Sequence, residues 1–151
     1  MLRPAWYLAD TNWLAQNPGV PVVGTEQALF GELTALFHDP LLNPAMTVKA
    51  TYLTLLAAEH LGTAMTHGAR IHDVNDLARL LCGLNLVTAH LTQTVQHVAE
   101  NIEARTFHGL SRTSDGLVRS LADSASRAAA NGEIFAGHLK EAHLTLRTSI
   151  K

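Results

Sequence analysis

Apolar residues recur along this chain at helical spacing, and no strand-like alternation is sustained. Trp6, Ala9 and Trp13 fall on one face of a short helix over residues 4–16, with Pro4 suited to its first turn. Asn17-Pro18-Gly19 stops that helix, and the Pro/Gly-rich stretch 18–24 predicts an extended linker. Thr25 caps a second helix whose stripe is Leu29, Phe30, Leu33, Leu36 and Phe37, and Asp39-Pro40 ends it. Asn43-Pro44 is an N-cap followed by an N1 proline. From there to His67 the chain is apolar over so much of a helix circumference that a central position in a bundle is expected. Gly68 stands where a C′ glycine would.

Two longer patterns follow. After a polar joint, Asp73 or Asn75 caps a helix predicted to run to Phe107, with Gly109 beyond its end. Leu77, Leu81, Leu84, Thr88, Leu91, Val95, Val98 and Ile102 alternate spacings of four and three, as a heptad seam does. Thr113 or Ser114 caps the last helix, which runs close to Ser149. Its heptad is Val118, Leu121, Ala125, Ala128, Gly132, Phe135, Leu139, Ala142 and Leu146. Ser124, Ala128, Gly132 and Ala136 are small residues every four positions, which lets a second helix approach closer than the usual 8–10 Å. The alternative is that Asn131-Gly132 breaks the helix in two.

These elements predict an all-α fold: a helical bundle with two long antiparallel C-terminal helices, two shorter helices before them, and a short N-terminal helical arm. Residues 1–24 form the arm and linker, and residues 25–151 a single bundle domain. The two shorter helices are too short to cover a long hairpin along its length. A homodimer sharing one bundle core is therefore expected.

Composition narrows the function. The chain has 151 residues, 47% of them apolar and 16% charged, which excludes disorder. Its net charge of −2 argues against nucleic acid as a partner. Residues 108–151 are mildly basic, with six bases against four acids, but the charges are interleaved along a helix face. No apolar run spans a membrane, no secretory signal is visible, and Cys82 is the sole cysteine. A cytoplasmic protein is expected.

The nine histidines never occur as His-x-x-His or His-x-x-x-His, the spacings at which one helix chelates one ion. The richest cluster of ligand types is His67, His72, Asp73 and Asp76 around one helix joint, and these are the candidate metal residues. His38, then the doublet His72-Asp73, then Asp115 or Asp123 follow the order of a scattered His, a His-Asp doublet and a distant Asp. That order resembles the metal-dependent phosphohydrolases of the HD type, and the resemblance covers four residues. It implies metal-dependent phosphohydrolase chemistry in an α-bundle. Read from the residues alone, Asp73 is a helix cap. Glu100 and Glu103 form a Glu-x-x-Glu pair without a visible second acidic motif on the last helix.

No catalytic set is assembled and no cofactor is implied. Candidate interaction residues are Trp6, Tyr7 and Trp13, aromatics of the kind enriched at interfaces, and the small-residue stripe Ser124, Ala128, Gly132 and Ala136. The function expected is a non-enzymatic, oligomeric helical protein, an adaptor, regulator or scaffold that binds an unidentified protein partner. A small-molecule-sensing bundle and the phosphohydrolase are the alternatives.

Overall fold

A computed structural model of the chain describes residues 25–37 and 43–149. The predicted arm and linker of residues 1–24 and His38 lie outside the described residues. The fold is all-α. Its helices are α1 (Thr25–Phe37), α2 (Pro44–Gly68), α3 (Val74–Glu103) and α4 (Asp115–Ser149), with single 3₁₀ turns at Ala69–Ile71 and Leu110–Arg112. The chain divides into two compact units between Asp73 and Val74.

The first unit holds α1 and α2. Asn43 caps α2 as its sequence predicts: the Ala45 N–H donates to Asn43 Oδ1 at 2.8 Å, and Pro44 occupies the first turn. Hydroxyls of Thr51, Thr54 and Thr66 donate to carbonyls four residues back, at 2.8–3.0 Å. Gly68 ends α2 without a left-handed residue, at φ −119°, and the chain passes directly into the first 3₁₀ turn. The expected central position of α2 is not observed. No residue of α2 is buried, and Val48, Tyr52 and Leu55 are exposed. Its apolar positions are spread round the helix, so no single neighbour buries them all.

The second unit is the long hairpin α3–α4. Helix α3 stops at Glu103, four residues before the predicted end at Phe107. The Thr106 N–H donates to Asn101 O at 2.9 Å and the Arg105 N–H to Ile102 O at 3.0 Å. These two bonds form a Schellman motif whose left-handed residue is Arg105, at φ 56°, rather than a glycine. The Arg105 guanidinium holds that conformation in place. Nη1 donates to Leu110 O at 3.2 Å and Thr113 O at 3.1 Å, and Nη2 pairs with Asp115 at the start of α4. Gly109, at φ 93°, supplies the second left-handed step of the turn.

Helix α4 runs unbroken through Asn131-Gly132, so the predicted break does not occur. Asn85 bonds to Ala136, and His143 to Ala78, which makes α3 and α4 antiparallel. Their seam differs from the predicted one. On α3 it is Asn85, Ala89, Thr92 and Ala99, with Leu86 buried beside them; on α4 it is Val118, Ala122, Ala129, Ala136 and His143. The α3 seam lies one position beyond the predicted Leu77, Leu84, Leu91, Val98 column, which is about 100° of arc. On α4, Val118, Gly132 and their heptad mates stay on the seam. Leu121, Ala128 and Phe135 give way to Ala122, Ala129 and Ala136.

Closeness of approach explains the shift. A Cβ placed on Gly132 would stand 3.2 Å from both Thr92 Cβ and Thr92 Cγ2. Backbones that near leave room for alanine and glycine between them, so Leu77, Leu91, Leu121 and Phe135 turn to the flank, while Leu86 is buried at the seam's edge. Two polar side chains complete the seam. Asn85 is fully buried and its Nδ2 donates to Ala136 O at 2.7 Å. His143 is buried with Nδ1 at 2.9 Å from Ala78 O, so that nitrogen carries the hydrogen.

Gly132→Ala is expected to destabilise the protein. Overpacking costs about 1–3 kcal/mol and outweighs a helix-propensity gain of at most about 1 kcal/mol. In a Thr92→Ala background the same substitution is expected to cost clearly less, because the opposing hydroxyl and methyl are gone and only the 92 Cβ remains close. Denaturant unfolding of the two single variants and the double variant reads the coupling. Equal effects of Gly132→Ala in both backgrounds would remove the close approach as the cause.

At the turn, Arg105→Ala and Arg105→Gly both lose the guanidinium clamp, but only alanine keeps a side chain in the left-handed region. Arg105→Ala is expected to be the less stable by about 1 kcal/mol. Thermal melts that rank the two variants equally would contradict the Schellman geometry.

Candidate functional site

The hairpin has two unlike broad faces. On both helices, the residue that precedes a seam position falls to the same side, because α3 and α4 run antiparallel. Those positions include Leu77, Leu84, Leu91 and Val98 on α3 and Leu121, Ala128, Phe135 and Ala142 on α4, none of them charged. Leu117, Ser124, Asn131 and His138, which precede the Val118 column, lie farther round α4 on the same side. Leu91 is 48% exposed and Phe135 is 58% exposed, and Leu77, Val98 and Leu121 are exposed as well. Large apolar side chains left open in a lengthwise row, rather than singly, are the usual mark of an interaction surface.

The opposite face is polar. Asp76 and Arg79 pair at 2.9 Å near the start of α3. Farther along lies an open groove of about 440 Å³ between the helices, where Ala99 and Ala129 form the floor. Gln96, Glu100, Glu103 and Glu133 rim it. Gln96 Nε2 donates to Glu133, and His97 pairs with Glu100 at 3.0 Å on the exposed flank. His138 and Glu141 form another exposed pair, at 3.4 Å, on the outward side of α4. Exposed pairs of this kind contribute little to stability. Glu133 is the acidic partner on the last helix that the Glu-x-x-Glu spacing alone does not reveal.

The sequence candidates are placed as follows. Ala136 is fully buried on the seam and Gly132 is half-buried against Thr92, whereas Ser124 and Ala128 are exposed. The small-residue stripe therefore splits: its second half meets α3 within the chain, and Ala128 joins the open apolar face. His67 lies on α2, His72 and Asp73 at the joint, and Asp76 in the first turn of α3. Asp115 and Asp123 are exposed on α4, and Asp115 is engaged by Arg105. Among the described residues, no three His, Cys, Asp or Glu side chains are gathered in a way that could hold a metal ion. Trp6, Tyr7 and Trp13, and His38, lie outside the described residues.

Two side chains central to the hairpin are missed by sequence reasoning, Asn85 and His143. Both sit in seven-residue columns of small residues: Ala78, Asn85, Thr92, Ala99 on α3 and Ala122, Ala129, Ala136, His143 on α4. Those columns were the available signal, next to the more conspicuous columns of leucine.

Among the described residues, no helix is long and apolar enough to cross a membrane. No protein-family model, curated protein or solved structure matches this chain.

Proposed function

We propose that this chain is a non-enzymatic helical interaction protein, an adaptor, regulator or scaffold in class, and that it works through the apolar face of the α3–α4 hairpin. The observation that carries this reading is the row Leu77, Leu91, Val98, Leu121 and Phe135, exposed along one uncharged side of a hairpin whose other side is polar. A soluble helix normally turns its apolar stripe inward. Here the inward seam is filled mostly by small and polar side chains, with Leu86 and Val118 the large apolar exceptions, so the stripe is left for something else to cover. Aromatic and aliphatic anchors in an uncharged patch match the composition of interface cores. The single cysteine, Cys82, suits a reducing compartment, and a cytoplasmic setting is part of the proposal.

The test is capture by the immobilised full chain from extract of its native cell. Leu91→Asp is expected to abolish retention of the specific macromolecule and to leave the helical circular dichroism unchanged, because Leu91 is already half exposed. Glu100→Ala, on the polar face, should retain it. An identical captured set for the parent and Leu91→Asp would refute this face as the working surface.

A further inference from the structure

We infer that the occupant of the hairpin's apolar face is a second copy of the same chain, the two hairpins meeting face to face as a four-helix bundle. This rests on the reading of that face as the working surface and goes further by naming what covers it.

Size is the first argument. From Leu77 to Val98 α3 rises about 32 Å at 1.5 Å per residue, as α4 does from Leu121 to Ala142. Two helices side by side present a width of about 20 Å. The face thus offers about 630 Å² per copy, within the roughly 600–1,000 Å² per partner of a standard stable interface. A single helix, about 10 Å across, covers half of that width. A second hairpin matches it in length, width and polarity.

Charge is the second. The flank columns from Leu77 to Val98 and from Leu121 to Ala142 carry no acid or base. A two-fold pairing brings each patch against itself, which penalises a charged patch through like-charge contacts and leaves an uncharged one unpenalised. Arg79, Glu100, Glu103 and Glu133 are on the seam's other side. Relief is the third. Along α4 the face alternates large and small side chains, Leu121, Ala128, Phe135 and Ala142. Such an alternation supplies both knobs and holes to a partner with the same surface.

The experiment uses the purified full chain and sedimentation equilibrium over a range of concentrations. The expected species is a dimer. Leu91→Glu combined with Phe135→Glu should halve the mass while the circular dichroism stays helical, and Glu100→Lys on the polar face should not. A second readout does not depend on disruptive charges. In a Cys82→Ser background, Leu91→Cys should give a disulfide-linked dimer on mild oxidation, and Gln93→Cys should not. A parent chain that is monomeric throughout, or a dimer indifferent to the paired glutamates and cross-linked equally from both positions, would overturn the inference. So would a monomer in which Leu91→Cys is shielded from alkylation, since the chain's own segments would then be the cover. The two readings separate cleanly. A monomeric parent that still captures a macromolecule through Leu91 defeats the second copy and keeps the interaction surface. A dimer that forms through this face, with no other macromolecule retained, supports the second copy as the occupant.

Discussion

There is no room for a methyl group between the two long helices where Gly132 meets Thr92. That constraint arranges most of what surrounds it. Helices so close accept only small side chains along their contact, and the seam accordingly runs through Ala89, Ala99, Ala122, Ala129 and Ala136. Small side chains bury little apolar surface, at roughly 25 cal/mol per Å². The seam thus gives the hairpin its geometry but only a modest share of hydrophobic stabilisation. Most of the side chains with the largest gain from burial, Leu77, Leu91, Leu121 and Phe135 among them, stand beside the seam, about 100° round each helix.

Polar bonds reinforce the same contact. Asn85 and His143 each reach a backbone carbonyl on the opposite helix. A buried amide or imidazole left without a partner costs about 1–3 kcal/mol, so each disfavours any packing that separates it from its acceptor. An alanine seam is nearly featureless and would tolerate sliding. These two side chains make one alignment better than its neighbours. At the closed end, Arg105 ties the last turn of α3 to the start of α4 through three acceptors.

Helix boundaries were largely legible in the sequence, because caps and breakers act locally. Asn43-Pro44 opens α2, and the last helix extends to Ser149 as its pattern indicates. The end of α3 was not legible, since Arg105 takes a left-handed conformation usually given to glycine and is held there by contacts distant in sequence. Heptad periodicity was visible on both helices, but its phase was misread. Large apolar residues mark a column strongly, and the neighbouring column of small residues repeats with the same period. Only the interhelix distance decides which column is inside, and that distance is a tertiary property. The apolar face was therefore visible as a list of residues before it was visible as a surface. The polar groove was less legible still, because Glu133 joins Glu100 and Glu103 only once the hairpin closes.

The two interhelix bonds are a single heptad apart on each strand of the hairpin: Ala78 to Asn85 on one side, Ala136 to His143 on the other. The seam is in this sense a ruler graduated in sevens. Removing or adding seven residues within α4 ahead of Gly132 would keep the same column inward but slide one helix along the other by about 10 Å, setting Leu139 or Ala125 against Thr92 where only glycine fits. A change of one residue would turn the column away by about 100°. Length variation in this hairpin is thereby confined to the turn, where Arg105 and Gly109 meet no such periodic demand.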